Sequence, residues 1–322
     1  MKLKIESFAL ALLFILFFSG CEENFSPKGE FEEKFALTCI VRGDTSLQIA
    51  SIYSSYDVEG YDPSVHQENP AYFGADIRLW YQDTVYVFKE SSVFNSNNPD
   101  SIFHFYYLDN FKPSATNELL EIEATLKNGK RLKASCYTPA RFVFDTKETS
   151  NTIPPVNTST VNVVWDSDAK NNFYVGRIKV KYFLNVGGNV EQKWLILPSK
   201  LISNNGELIP IYPVPSKSQA IAYSLGAINN VMQSISSGIE NKGSITVSNK
   251  AIIEVLSIDE NLSRYYSSLQ EDNKYTVRVN ESDYSNVDGG FGLFGSLQMN
   301  SRKITVQPEY IESFGYKVIY EN

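Results

Sequence analysis

A period of two runs through this sequence. From Phe35, the residues Phe35, Leu37, Cys39 and Val41 alternate with Ala36, Thr38 and Ile40; the rhythm returns at Ile77, Leu79 and Tyr81 and, after Gln82-Asp83-Thr84, at Val85 and Val87. Successive strand side chains point to opposite faces, so such runs specify strands with one face buried, and the last two read as a hairpin. Ile102 to Leu108 and Leu119 to Leu126 supply further strands, and Asn128-Gly129 is a tight-turn dipeptide leading into Leu132, Ala134 and Cys136. Roughly seven short strands in about 110 residues predict a β-sandwich of the immunoglobulin or transthyretin kind over 35–145. Aromatic residues make up 13% of the chain, with 20 Tyr and 20 Phe, which suits strands better than helices.

Cys39 lies on the apolar face of the first of these strands and Cys136 on that of the last, so both point into one core. They are candidates for a disulfide, which would close a long loop and contribute about 4.7 kcal/mol in the chain-entropy account. Two buried free thiols fit the pattern equally well. Neither reads as a catalytic nucleophile, because a reactive thiol needs a nearby base and the chain holds only His66 and His104.

Residues 146–160, rich in Ser, Thr and Asn around Pro154-Pro155, have the composition of a linker, which sets a second domain at 161–322. There Val161, Val163 and Trp165 alternate, followed by Tyr174, Ile178, Val180 and Tyr182 and, past Gly187-Gly188, by Trp194 and Ile196. The Trp165 and Tyr174 arrangement resembles the paired aromatic strands of fibronectin type III modules. Ile221, Leu225, Ile228, Met232, Ile235 and Ile239 recur at helical spacing, predicting one long helix near 216–239 with Ser216 or Ser218 as its cap. Ser257 and Glu260 have capping-box spacing before Leu262, predicting a short helix near 258–271. The fold class expected is therefore mainly β, with one long and one short helix in the second half.

The amino end has a different character. Lys2 and Lys4 precede an apolar run from Phe8 to Phe18, and Ser19-Gly20-Cys21 supplies small residues for cleavage. This reads as a signal peptide over 1–20, since about 20 apolar residues are needed to span a bilayer and this run stops short. Phe18-Ser19-Gly20-Cys21 resembles the lipobox of bacterial lipoproteins, although Leu is commoner than Phe at its first position. That resemblance implies lipidation of Cys21 and membrane attachment through several acyl chains, each buried methylene contributing about 0.8 kcal/mol. Residues 21–34, charged and containing Pro27 and Gly29, read as a tether. Glu22-Glu23 resembles an acidic signal for the outer face of the outer membrane, though a solvated tether would look the same. The location expected is a lipid-anchored outer-membrane protein, on its periplasmic or surface face.

The formal charge is −8, so nucleic acid and anionic lipid, which call for basic surfaces, are poor partners. The segment Tyr53 to Phe73 holds Tyr53, Tyr56, Tyr61, His66 and Tyr72 together with several acids, a composition able to stack on sugar rings or accept their hydroxyl hydrogen bonds. Asp166-Ser167-Asp168 begins like a calcium loop, but Lys170 and Asn171 occupy positions that a ligand and a glycine require. No metal site, cofactor or catalytic residue is expected: HExxH, GxSxG and GxxxxGK[ST] patterns are missing from the sequence.

Gly290, Gly292 and Gly295 fall in GxGxxG register, but a dinucleotide fold would need a following helix and a second βαβ unit, for which too little chain remains. The glycines read better as sites of close backbone approach, letting Phe291, Leu293 and Phe294 tuck against a core. The whole stretch Tyr284-Ser285-Asn286-Val287-Asp288-Gly289-Gly290-Phe291-Gly292-Leu293-Phe294-Gly295-Ser296, behind a lipobox and a β-rich first half, resembles a Bacteroidota outer-membrane lipoprotein family of unknown function, that of domain 4249. The resemblance implies an accessory envelope protein, often encoded beside a TonB-dependent receptor; it carries over no functional residue. Two classes of function follow: a non-enzymatic binding or assembly lipoprotein, preferred, or a surface hydrolase of glycan or peptide built from scattered acids. The sequence names no ligand.

Overall fold

The structure is a computed structural model that describes residues 30–58, 70–95, 98–114, 116–167, 172–271 and 284–321. Nearly all of these belong to one unit, 34–55 with 67–322; of a second unit, 1–33 with 56–66, only 30–33 and 56–58 are described, and they form neither helix nor strand.

The first half folds as the alternation predicts except at Val85 and Val87, which are exposed while Tyr86 between them packs on the core. Its strands are β1 (Phe35–Arg42), β2 (Gln48–Ser54), β3 (Asp76–Tyr81), β4 (Thr84–Val87), β5 (Lys89–Asn95), β6 (Asn98–Leu108), β7 (Leu119–Thr125) and β8 (Arg131–Tyr137). β1-β2-β6-β5 make one layer and β4-β3-β7-β8 the other. Phe35, Leu37, Cys39 and Val41 of β1 share a core with Ile77 and Leu79 of β3 and Leu120 and Ile122 of β7. Burying each large side chain contributes about 1.5–3 kcal/mol, enough to set which face turns inward. At the Asn128-Gly129 turn, Leu126 N–H donates to Lys130 O and Gly129 N–H to Leu126 O, at 2.9 Å each.

The second half contributes β9 (Val143–Phe144), β10 (Thr152–Ile153), β11 (Thr160–Asp166), β12 (Phe173–Val186), β13 (Asn189–Leu197), β14 (Lys200–Asn204), β15 (Glu207–Ile211), β16 (Ala220–Ser224), β17 (Ile245–Ile258), β18 (Phe291–Val306) and β19 (Lys317–Ile319). Its helices are α1 (Leu225–Ser234), α2 (Glu260–Glu271) and α3 (Pro308–Glu312). The small sheet β16-β11-β9 and α1 cover β12 and β17, enclosing a second core around Trp165, Tyr174 and Tyr223; the Trp165 and Tyr174 rings lie 5.3 Å apart.

The chain is mainly β, as expected, but its two cores are not two free-standing domains. Among the described residues, one ten-stranded sheet runs β13-β12-β17-β18-β1-β2-β6-β5, with β10 added to β18 and β19 to β17. The join is β18, whose residues 291–297 pair in parallel with β1 while 297–305 pair antiparallel with β17. Phe294 accordingly sits in the first core, and Ile304 and Val306 in the second. Residues 146–160 are not a loose linker either. Thr149 is buried and bonds Val164 O through Oγ1 at 2.9 Å, and β10 extends the sheet.

The helices also depart from expectation. Ile221 belongs to β16 opposite Val163, so the helical stripe begins only at α1, which buries Ala227, Ile228, Val231 and Met232. Ser216 pairs with Tyr174 instead of capping a helix. At α2 the cap is Asp259: its Oδ1 accepts from Leu262 N–H at 3.0 Å, while Ser257 lies on β17 and accepts from Asn172. The sequence reading missed α3, which has Pro308 at its start and Glu309 in its first turn.

Candidate binding cleft

The glycine-rich segment clasps the open end of the first sandwich. Asp288 forms an isolated bridge with Lys133 of β8, Asp288 N–H donating to Lys133 O at 2.7 Å and Lys133 N–H to Asp288 O at 3.0 Å. Val287 enters the first core. Gly292 has φ +119, and a Cβ there would lie 2.0 Å from Leu37 O, so this position accepts no side chain. Gly292 and Gly295 are strand residues of β18, which agrees with the reading of close approach over a dinucleotide loop. Phe294 is buried in the first core and Leu293 against Leu262 of α2, but Phe291 is exposed.

Two asparagines hold the clasp, Asn286 within it and Asn261 on α2. Asn286 Oδ1 accepts from Phe294 N–H, and its Nδ2 donates to Phe294 O. Asn261 Nδ2 donates to Ser135 O at 2.9 Å and Phe294 O at 3.2 Å, while its Oδ1 accepts from Tyr284 Oη at 2.8 Å. These carboxamides are committed to the fold.

Beside the clasp, the outward face of β3, β7 and β8 forms an open cleft of about 540 Å³. Register places Trp80 opposite Glu121, Glu121 opposite Ser135, and Glu123 opposite Lys133. Glu123 is held below the ordinary carboxylate range by its hydrogen bond to Lys133 and by Arg131; the ion-pair distances are 2.8 and 3.4 Å. Glu121 and Asp288 face the same cleft, and neither carboxylate has an ion-pair partner among the described residues. The cleft thus offers one indole ring, acceptors, and donors on Lys133 and Ser135.

A neighbouring cleft of about 390 Å³ reaches Asp259 and Cys136. Burial raises the Asp259 carboxyl to about 7 against the opposing pull of backbone N–H groups. Burial also pushes the Cys39 thiol up to about 12; it raises Cys136 as well, with Asp259 adding to the effect. Cys39 and Cys136 share the first core, and both stand as buried free thiols in this structure.

Tyr53 and Tyr72 of the tyrosine-rich segment turn to different faces. Tyr53 lies on β2 and is exposed on its outer face, whereas Tyr72 packs edge-on against the inward Phe35 at 5.2 Å and accepts from Lys127 N–H. Tyr56 is exposed. Tyr61 and His66 lie outside the described residues, as does Cys21. His104 is a strand residue on β6 whose ring meets Phe73. No three His, Cys, Asp or Glu side chains converge as a metal site among the described residues. The sequence reading missed Trp80, Glu121 and Ser135, whose signal was their place at outward strand positions, and gave no role to Asp288 of the glycine-rich stretch.

A family model described as a domain of unknown function, DUF4249, matches residues 23–303. No curated protein matches the chain. The match covers the first core, most of the second and most of β18, which makes the join between the cores part of the matched region. By the extent of that match, the chain belongs to the DUF4249 family.

Proposed function

We propose that this protein is an exported lipoprotein of the outer membrane, held by acyl chains on Cys21 and raised on residues 21–34. Its folded part is a non-enzymatic binding or assembly component that works beside a TonB-dependent receptor. The anchor is supported by the lipobox-like Phe18-Ser19-Gly20-Cys21 behind an apolar leader. The receptor is supported by the family resemblance of the 284–296 segment.

The observation that favours binding over catalysis is the character of the cleft at Trp80. Its groups stand on a pleated sheet facing solvent, Glu123 is engaged by Lys133 and Arg131, and the nearby carboxyl raised to about 7, Asp259, caps a helix. A hydrolytic pair would need two carboxyl groups held at a set separation across a scissile bond.

Two measurements test the proposal. Labelled palmitate should enter the wild-type protein and not Cys21→Ala, which should leave the membrane fraction. A tagged wild-type protein should recover a TonB-dependent receptor from solubilised envelopes. Equal membrane retention of Cys21→Ala would refute the anchor, and consistent failure to recover any such receptor would refute the partner.

A further inference from the structure

We propose that the cleft at Trp80 is a subsite for a neutral saccharide, with the indole as stacking platform and Glu121, Asp288, Ser135 and Lys133 as hydroxyl partners. The inference rests on the reading of the chain as a binding protein and names its ligand class.

The chain has three tryptophans. Trp165 is buried in the second core, and Trp194 lies under Lys179 and Lys181 on β13, at 4.9 and 6.0 Å. Trp80 combines partial exposure with a concave polar surround. The volume of about 540 Å³ falls among small-ligand sites. An indole offers a flat apolar face, which suits the C–H face of a pyranose ring.

Charge selects among ligands. Glu121 and Asp288 are acceptors without an ion-pair partner among the described residues, so an anionic ligand would meet two uncompensated carboxylates. Lys133 and Arg131 stand around Glu123 on the same face, so the cleft also carries cationic donors beside its acids. A neutral polyol gives donors to the carboxylates and acceptors to Lys133 and Ser135, and satisfies both. An extended peptide would dock most readily by adding a strand to the sheet, but at Lys133 the outer edge of β8 is already bridged by Asp288. The clasp therefore removes the backbone partner that a peptide would use while leaving the side-chain face open.

The test uses full-length lipidated protein in a detergent without a sugar headgroup, applied in parallel to arrays of neutral oligosaccharides, uronic-acid oligosaccharides and peptides. Wild type and Trp194→Ala should retain neutral oligosaccharides. Trp80→Ala should bind at least about tenfold more weakly, Trp80→Phe within about threefold of wild type, and Glu121→Gln in between. Thermal unfolding of each variant separates lost binding from lost fold, and the Phe and Gln variants keep the test open if Trp80→Ala does not fold. Retention of acidic glycans alone, or neutral-glycan binding unaffected in folded Trp80 and Glu121 variants, overturns the proposal. Binding of peptides alone overturns the saccharide class and leaves the binding-protein reading standing. Failure on all arrays together with failure to recover a receptor overturns both.

Discussion

The carboxamide of Asn286 pairs with both backbone groups of Phe294: Oδ1 accepts from Phe294 N–H at 2.9 Å and Nδ2 donates to Phe294 O at 2.7 Å. A side chain here does the work of a strand partner, holding the clasp against the start of β18. Replacing Asn286 by Ala removes both bonds and should destabilise the protein by about 2 kcal/mol. Asn286→Asp can accept but not donate when ionised, so it should be no more stable than the Ala variant at pH 8. Urea unfolding midpoints for the three proteins check this; a wild-type midpoint for either variant contradicts it.

Gly292 and Gly187 both have positive φ, +119 and +60, but only the first is crowded. A Cβ at Gly187, in the turn between β12 and β13, meets nothing within 4 Å, whereas at Gly292 it meets Leu37 O at 2.0 Å. Gly187→Ala should therefore cost about 1–2 kcal/mol from backbone strain alone. Gly292→Ala should cost more than about 3 kcal/mol, because β18 and β1 must separate. Comparable losses in thermal unfolding would show that the join between the cores is less tight than its geometry implies.

Asp259 gives the fold a pH dependence. Its carboxyl titrates near 7 in the folded protein because burial disfavours the charge, and near 4 when unfolded. Between these values the folded state binds more protons, so this group's contribution to stability falls as pH rises from about 4 to about 7 and is level above that. The full difference corresponds to roughly 4 kcal/mol. Asn also caps helices well and carries no charge, so Asp259→Asn should gain stability relative to wild type as pH rises from 5 to 8. Identical pH dependence of the two unfolding curves would rule this out.

The thiols of Cys39 and Cys136 should be inert in the native protein. Both are buried, and burial raises both above the ordinary thiol range. In a Cys21→Ala chain these two are the remaining cysteines of the three. At pH 8 they should react with Ellman's reagent on the order of a hundredfold more slowly than in urea. Two thiols should be counted after unfolding without reductant; a count of none would reveal a disulfide.

Local periodicity was sufficient for the strands whose two faces differ. Phe35 to Val41, Ile77 to Tyr81 and Leu132 to Cys136 each present one apolar face, and burial of that face decides orientation without knowledge of any partner. Asn128-Gly129 marked its turn for an equally local reason, the backbone angles that the turn demands. What the chain does between distant residues was not legible. Ile221 matches a helical stripe, yet hydrogen bonding to Val163 holds it in β16, because tertiary pairing outweighs a weak local preference. Asp259 replaced Ser257 as a cap because pairing with β12 keeps β17 extended through Ile258. The same applies to the cleft. Trp80, Glu121 and Ser135 are brought together by the register of three strands, and Asp288 by the clasp. The sequence by itself determined which residues face inward; only the tertiary structure decided that β18 lies beside β1, since strand pairing at long range depends on contacts that no short stretch of chain contains.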